Sequence, residues 1–438
     1  MDNLRMDALV IGGGIAGMQS ALDLADQGFQ VALVEREASI GGRMITLSKV
    51  FPTLDCCSCI TTPKMSAVAH HPNIHLFTYC EVQSVQEHGA GFDVSVLQKP
   101  RYVDVSKCTG CRQCEYECPI TVPSAFDQNL GAYRAIRVPF STAVPQKAVL
   151  DIENCLFCGK CEKACPVEAI DFTQQPESFT IEAASIVMAT GFDLTPIESK
   201  KEYGAGQLRN VIDPLMMERF LAPTGPYGRV LRPGDGKEPT SIAYVQCAGS
   251  RDETLGITYC SRVCCMYAIK QAMLISGALP MAEITIYYMD IRTFGKGYEQ
   301  FYQNAKAMGV EFVRGKVALI KEDVDQNPII KVELTDTGQI VERTHDLVVL
   351  SQGIVPASHL TVSLPLGSDG FISVPAPDSA PCVTERPGIF VTGTAASPMD
   401  IVDSILSASA AAAEASAYIR ENGNRPDVQQ RSEEVAYV

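Results

Sequence analysis

The sequence predicts an α/β protein with a dinucleotide-binding core, a second α/β unit behind it and a small cysteine-rich α+β insert within it. Three observations carry this. A strand–glycine turn–helix–strand unit opens the chain over residues 6–35. A strand–helix–strand rhythm returns over residues 241–350. Between them the spacing C-x2-C-x2-C-x3-C-P occurs twice, ending in Pro119 and in Pro166.

The opening unit is the apolar run "MDALVI", the triplet Gly12-Gly13-Gly14 and a helical pattern with Ile15, Met18, Ala21, Leu22 and Leu24 on its apolar positions. The helix stops at Gly28, and "QVALVE" makes a second strand ending at Glu35. Gly12-x-Gly14-x-x-Gly17 therefore sits where a strand turns into a helix. Glycines there allow a tight turn and let backbone approach a pyrophosphate, which the helix N-terminus, at Ile15 and Ala16, receives through its free N–H groups. Glu35 ends the second strand, where an acid accepts the ribose hydroxyls.

Residues 51–64 read as a loop carrying Cys56, Cys57 and Cys59. Metal ligation, thiol redox chemistry, incidental thiols and ligation completed by a partner chain all remain open for these three. "NIHLFTY" and "FDVSVLQ" read as strands.

The repeated cysteine spacing occupies about residues 100–172. It is the pattern of bacterial two-cluster ferredoxins, in which the fourth cysteine of each run ligates the other cluster. This assigns Cys108, Cys111, Cys114 and Cys165 to one 4Fe–4S cluster, and Cys155, Cys158, Cys161 and Cys118 to the second. A zinc ribbon would need two pairs, not two quartets. The connection over 119–154 is long, and "SAFDQNLGAYRAIRVPFSTAVPQ" reads as a docking loop.

"SIVMATGF" is a strand ending in a glycine turn, and residues 194–238, rich in Gly and Pro, read as a linker. In the second unit, "SIAYVQCAGS" is a strand and "RVCCMYAIKQAMLIS" a helix. Where a second glycine-rich turn is expected, the chain reads "YVQCAGSRDETLGITYCSRVCC". Cysteines replace the phosphate cradle, so a nicotinamide nucleotide is not expected there. Cys247, Cys260, Cys264 and Cys265 suit a 4Fe–4S cluster or tetrahedral zinc, and buried thiols are the alternative. Cys80 and Cys382 are isolated and read as small buried residues. The C-terminal "GIFVTGTAASPMDIVDSILSASAAAAEASAYI" is strand, glycine turn and helix, followed by a polar tail.

The formal net charge of −15 and the lack of a basic run exclude a nucleic-acid surface. The acidity provides solubility or an acidic docking face for a redox partner. The N-terminus lacks a signal-peptide pattern, and no apolar stretch reaches the length of a membrane span. The expectation is a reducing cytoplasm, where seventeen cysteines mean metal and redox chemistry instead of disulfides.

Three stretches resemble the two-dinucleotide-binding-domain, thioredoxin-reductase-like flavoproteins: "REASIGGRM" after Glu35, "VMATG" at 187–191 and "PGIFVTGTA" at 387–395. The resemblance implies FAD, held by Gly12, Gly14, Ile15, Ala16, Gly17, Glu35, Arg36, Gly42, Arg43, Val82, Ala189, Thr190, Gly191, Gly393 and Thr394. That family usually has Gly-Asp where this chain has Gly393-Thr394, so a ribityl contact passes to the threonine hydroxyl. The last helix, expected to start near Pro398, would aim its N-terminus at the flavin pyrimidine.

More specifically, the glycine turn with Glu35, "FPTLDC" followed by "PKM", the insert beginning "PRYVDVSKCTGC", and "QCAGSRDE" followed by "YCSRVCCMYAIK" together resemble the HdrA family, the A-type subunits of heterodisulfide reductase, over about residues 5–410. The resemblance implies an iron–sulfur flavoprotein, one component of a larger complex, in which FAD takes an electron pair and, in bifurcating members, splits it between two acceptors. It implies a cluster on Cys247, Cys260, Cys264 and Cys265, and Lys270 beside flavin N5. Implied partners are B- and C-type subunits, a hydrogenase- or dehydrogenase-linked donor or ferredoxin, around a homodimeric core. The chain is expected to be a short form, without the N-terminal extension and C-terminal ferredoxin domain of methanogen members. Competing readings are the flavin subunit of a quinone-interacting sulfur-metabolism complex and a stand-alone NAD(P)H:ferredoxin-type oxidoreductase. The expected units are 1–98 and 351–422 for the FAD domain, 99–175 for the insert, 176–238 for its return and linker, 239–350 for the degenerate nucleotide domain, and 423–438 for a flexible tail.

Overall fold

In the computed structural model the described residues are 4–89, 91–357 and 362–422; the expected tail lies outside them. The first sheet is centred on β1 (Leu4–Ile11). On one side β2 (Val31–Glu35) and β3 (Ile74–Thr78) continue it in parallel. On the other lies β10 (Glu177–Met188), also parallel, with β20 (Ile389–Val391) along its end. β5 (Gly91–Gln98) and β4 (Cys80–His88) add an antiparallel wing beyond β10. Every residue of β1 from Met6 to Ile11 is buried, as a strand covered on both faces requires. One face is covered by α1 (Ile15–Asp26) and α8 (Ile401–Glu421), where Met18, Ala21 and Leu24 share a core with Ala411, Ala412, Ala415 and Ile419. The alanines of the "SASAAAAEASA" run are what bring the two helices close.

The second sheet runs in the order β12 (Val211–Ile212), β18 (Leu347–Gln352), β13 (Ser241–Ala248), β14 (Glu283–Tyr288), β15 (Glu311–Glu322), β16 (Pro328–Leu334) and β17 (Ile340–Thr344). It is parallel as far as β15 and antiparallel beyond. Its core draws on α5 (Pro214–Leu221), α6 (Cys264–Ala278) and α7 (Tyr298–Ala307). The two units are linked by an antiparallel pair, β11 (Phe192–Leu194) with β19 (Ile354–Pro356).

The insert repeats one small design. α3 (Gln113–Glu117) carries Cys114, and α4 (Lys160–Ala164) carries Cys161. Each helix is entered through a left-handed residue, Arg112 at φ 63° and Gly159 at φ 69°. Two short ladders, β6 (Thr121–Pro123) with β7 (Ala132–Arg134) and β8 (Ile136–Arg137) with β9 (Val149–Leu150), complete it.

Two local expectations are corrected, and two others gain detail. Residues 51–64 are not all loop: α2 (Cys57–His70) begins inside them, with Cys56 as its N-cap. Residues 194–238 are not only a linker, because β12 and α5 lie within them and build the second unit. β12 and α5, of two and eight residues, are too short to show an apolar repeat. The long connection in the insert, expected as a docking loop, is anchored to the second unit. Its Asp127 pairs at 3.0 Å with Arg219 of α5, whose ring partner is Phe126 and whose Nη1 donates to Thr46 O at 3.0 Å. The final helix begins at Ile401, close to the expected Pro398, and Asp400 caps it by accepting from the Asp403 N–H at 2.8 Å. A carboxylate thus already occupies that N-terminus, and the Tyr298 hydroxyl and Arg262 reach this first turn from the second unit, donating to Asp400 and Asp403.

Candidate functional site

The glycine turn is built by backbone crowding on three sides and openness on a fourth. A Cβ on Gly12 would stand 2.3 Å from the Ala189 carbonyl oxygen, and one on Gly17 would stand 1.8 Å from the Gly12 carbonyl oxygen. Gly42 crosses so near Gly14 that its Cβ would come within 2.8 Å of the Gly14 Cα. A Cβ on Gly14 itself would meet nothing nearer than the Gly42 Cα at 4.0 Å. The turn is thus packed from behind and open at the mouth of α1, whose N-cap Gly14 offers no side chain to the first N–H groups. That is the cradle an anionic pyrophosphate needs.

Glu35 is buried at the end of β2. Its two carboxylate oxygens accept from the Gly13 N–H at 2.7 Å and the Glu37 N–H at 2.8 Å. Burial pushes its carboxyl up, against those two backbone bonds. A carboxylate has roughly four acceptor positions, so room remains for ribose hydroxyls. Ala189 follows the end of β10, and its N–H donates to the Ile11 carbonyl at 2.9 Å, which ties "VMATG" to the glycine turn. Gly393 closes the ring: its Cβ would lie 2.8 Å from that of Ala16, and its N–H donates to Ser407 Oγ at 3.3 Å. Gly12, Gly14, Ala16, Gly17, Glu35, Gly42, Ala189 and Gly393 are therefore brought together, with Ile15, Thr190, Gly191 and Thr394 as their chain neighbours.

The remaining expected flavin residues are Arg43, Arg36 and Val82. Arg43 pairs with Asp193 at 3.0 Å and lies over the Phe192 ring. Arg36 pairs with Glu37 at the surface. The Val82 side chain is buried in the core, which leaves only its backbone, beside a register shift in β4, for a ligand.

In the insert the thiols surround two cavities. One is lined by Cys108, Cys111, Cys114 and Cys165 together with Val103, Thr109 and Ile170. The other is lined by Cys118, Cys155, Cys158 and Cys161 together with Ile136, Leu150 and Phe172. The fourth cysteine of each run thus stands with the first three of the other. Among the described residues no three Cys, His, Asp or Glu side chains converge on a single-ion site. Two rings of thiols around open, apolar-walled space fit a cluster rather than one ion. The insert abuts the flavin turn: the Ile40 N–H donates to the Val144 carbonyl at 3.1 Å, and the Val144 N–H donates to Ser39 Oγ at 2.8 Å.

The third cysteine group lies at the end of β13 and the start of α6. Cys264 and Cys265 are the first two residues of α6, whose N-terminus no side chain caps. Burial, then repulsion from Cys265, Cys247 and Cys260, pushes the Cys264 thiol far up. The Cys265 thiol is pushed up to about 12, chiefly by burial. Cys247, Cys260, Cys264 and Cys265 thus feel one another's charge across the turn that leads into α6.

Lys270 is no solvated helix lysine. It is 2 % exposed, pairs with Glu218 and donates to the Lys49 carbonyl at 3.0 Å. Glu218 also accepts from Gln271 Nε2 at 2.6 Å and from Ser48 Oγ at 2.6 Å. Glu218, Gln271 and Ser48 were not legible as a group, because they come from three separate segments with no shared spacing.

Residues 7–49 match the family described as FAD binding domain, and residues 107–170 match the 4Fe-4S dicluster domain family. The Lactococcus lactis thioredoxin reductase in its FR conformation has a TM-score of 0.54 at 15 % identity, covering 95 % of this chain and 99 % of that one. The T. acidophilum thioredoxin reductase has a TM-score of 0.53 at 15 % identity, covering 95 % and 99 %. At that identity the likeness shows the fold alone. The second of the A-type iron–sulfur subunits of CoB–CoM heterodisulfide reductase from Methanopyrus kandleri is 49 % identical over 427 residues, covering 95 % of this chain and 65 % of that one. The chain is a relative of the A-type subunits of heterodisulfide reductase. The A-type iron–sulfur subunit from Methanocaldococcus jannaschii is 48 % identical, covering 92 % of this chain and 63 % of that one. The A-type component of the H2:CoB-CoM heterodisulfide,ferredoxin reductase of Methanothermobacter thermautotrophicus is 45 % identical, covering 93 % and 63 %. The chain spans just under two thirds of the length of these heterodisulfide reductase relatives. Among the described residues no helix is long and apolar enough to cross a membrane.

Proposed function

We propose that the chain is the flavin- and iron–sulfur-bearing oxidoreductase subunit of a heterodisulfide-reductase-like complex, relaying electrons between a partner's donor, FAD and 4Fe–4S clusters. The observation that carries the reading is the crossed pair of four-thiol cavities held against the flavin turn by Ile40 and Val144. FAD, when bound, supplies the exchange between electron pairs and single electrons. The chain's own residues hold it: the N-terminus of α1 takes the pyrophosphate and Glu35 the ribose. Cys108, Cys111, Cys114 and Cys165 ligate one cluster, Cys118, Cys155, Cys158 and Cys161 a second, and Cys247, Cys260, Cys264 and Cys265 a third. Lys270 is a buried cation whose partners are Glu218 and the Lys49 carbonyl, and its role toward a flavin is to position the loop that follows Gly41-Gly42. Exposed Tyr116, Leu156 and Phe157 border the cysteine runs and form the face on which a partner's electron carrier seats. Val402 and Leu406, exposed on α8, mark the face for a second copy.

Anaerobic purification tests this. Bound FAD and iron in multiples of four are expected, with no bleaching of the flavin by NADH or NADPH alone. Protein without flavin and iron would overturn the reading. Rapid bleaching by NADPH would replace it with the stand-alone NAD(P)H:ferredoxin-type enzyme.

A further inference from the structure

Arg101 stands at the start of the insert and is 4 % exposed. Its Nη2 donates to the Ala38 carbonyl at 2.9 Å and to Thr78 Oγ1 at 2.6 Å, both in the flavin domain and both uncharged. Its Nη1 is buried without a hydrogen-bond partner among the described residues. Burial pushes the guanidinium down to about 10, so it stays a cation at neutral pH. A buried cation calls for a counter-ion. The ionisable groups facing it are Cys80, Tyr79 and Cys108. Burial pushes the Cys80 thiol up to about 12 and raises the Tyr79 hydroxyl too, so both stay neutral. The Tyr79 ring, 5.5 Å from the guanidinium, offers a quadrupole and no charge. That leaves Cys108, which becomes a thiolate when it ligates iron.

A second cation meets the same cysteine. Lys147 Nζ donates to the Cys108 carbonyl at 2.6 Å and forms no ion pair among the described residues. The two thiol sets of the insert match in exposure, each with two buried cysteines, one half-buried and one exposed. Solvent therefore does not distinguish them, and charge does. Among the described residues no charged side chain lines the cavity of Cys118, Cys155, Cys158 and Cys161. Arg112, which lines the other cavity, is offset by Glu115 at 3.9 Å.

We propose that Arg101, with Lys147, is the built-in counter-charge of the cluster on Cys108, Cys111, Cys114 and Cys165, and sets that cluster at a higher reduction potential than its neighbour. The inference rests on the cluster ligation proposed above. A 4Fe–4S core with four thiolates is a net anion, and an added electron makes it more so. A fixed cation in a medium of low dielectric therefore favours the reduced form. In the transfer, one electron leaves the cluster of Cys118, which is oxidised, and enters that of Cys108, which is reduced. No bond forms or breaks and no proton is required. Because Arg101 also grips Ala38 and Thr78, the favoured cluster is the one whose counter-charge is fixed to the flavin domain. Electrons that enter beside exposed Leu156, at the wall of the second cavity, run downhill toward the flavin side.

The test is an anaerobic redox titration of the intact protein, read by low-temperature electron paramagnetic resonance. Cys165→Ala and Cys118→Ala mark which signal belongs to which cluster. In the parent, the Cys108 cluster is expected to be reduced first. At a fixed potential Arg101→Gln should raise its oxidised-to-reduced ratio about tenfold, which is about 59 mV for a one-electron couple. Lys147→Gln lies nearer the surface, should move the same signal the same way by less, and decides the matter if Arg101→Gln does not fold. Arg101→Lys keeps the charge and should restore most of the parent potential. The Cys118 cluster should shift far less in every variant. The inference is overturned if the Cys118 cluster is reduced first in the parent, or if the two glutamine variants leave the Cys108 cluster unmoved. It is equally overturned if both clusters shift alike, or if Arg101→Lys shifts the potential as far as Arg101→Gln. Iron-free protein would instead overturn the ligation on which the inference rests.

Discussion

Lys270 and Glu218 form an ion pair whose side chains are 2 % and 3 % exposed. It joins α6 to α5, and through Ser48 and the Lys49 carbonyl it joins both to the loop that follows the glycine-rich Gly41-Gly42 turn. Removing one member of such a buried pair leaves an uncompensated charge, at about 3–5 kcal/mol. Lys270→Ala is therefore expected to lower unfolding stability by that amount, and Lys270→Met with Glu218→Leu to recover part of it. Denaturant titration of the singles and the double decides; single variants within about 1 kcal/mol of the parent would remove the pair from the account.

The same pair predicts acid sensitivity. Burial pushes the Glu218 carboxyl up, but the Lys270 charge and hydrogen bonds from Lys270, Ser48 and Gln271 outweigh it and hold it below the ordinary 4.5. A depressed carboxylate contributes fully above its unfolded value and loses that contribution as pH falls through its folded value. The parent should lose stability below pH 4.5 more steeply than Glu218→Gln, as read from unfolding midpoints across that range.

His345 acts in a higher window. It is held between Ser241 Oγ and the Tyr287 hydroxyl, each at 2.9 Å, and burial lowers it from 6.5 to about 4. Below pH 6.5 the unfolded chain binds a proton that the folded chain refuses, so stability falls between pH 6.5 and about 4. The gap is worth about 3 kcal/mol at the acid end. His345→Gln should flatten the stability curve between pH 7 and 5, and an unchanged slope would show that His345 is not the group responsible.

Two glycines separate folding from flavin binding. Gly17→Ala drives a Cβ into the Gly12 carbonyl and should cost both the fold and the cofactor. Gly14→Ala meets only open space and keeps an ordinary φ of −76°, so the chain should fold while its Cβ obstructs the pyrophosphate. Circular dichroism with flavin content distinguishes them, and full flavin in Gly14→Ala would move the pyrophosphate elsewhere.

The crossed thiol rings make a reciprocal prediction. Cys165→Ala should damage the cluster of Cys108, Cys111 and Cys114, and Cys118→Ala the cluster of Cys155, Cys158 and Cys161. Low-temperature electron paramagnetic resonance should show one altered signal in each variant and a different one in the two.

Much of this architecture was legible because its causes are local. The glycine turn, β1, α1, β2 and Glu35 follow one another within the first 35 residues, and each is dictated by hydrophobic period or by the need for a close backbone approach. The exchange of Cys118 and Cys165 between cavities was legible through the resemblance of the repeated spacing to bacterial two-cluster ferredoxins, in which the fourth cysteine of each run ligates the other cluster. What was not legible depends on meetings between distant segments. Nothing near Glu218 announces Lys270. Nothing near Asp127 announces Arg219, so the anchor of that connection was not legible. α2 hid behind three cysteines and a Pro63 that look like loop composition, although Cys56 caps a helix there.

The insert leaves the flavin domain after Gln98 and returns before Glu177, and those two residues face each other across the β5–β10 ladder. The whole cysteine-rich module therefore hangs from what would otherwise be a hairpin tip. A short turn could replace it without disturbing the sheet, so the module is a graft whose stem does not control where its far end points. That task falls to distant fastenings: Val144 on Ile40 and Asp127 on Arg219. Cutting those fastenings while sparing the stem would leave both halves folded and their mutual distance free to drift, so tunnelling between them would fail before folding did.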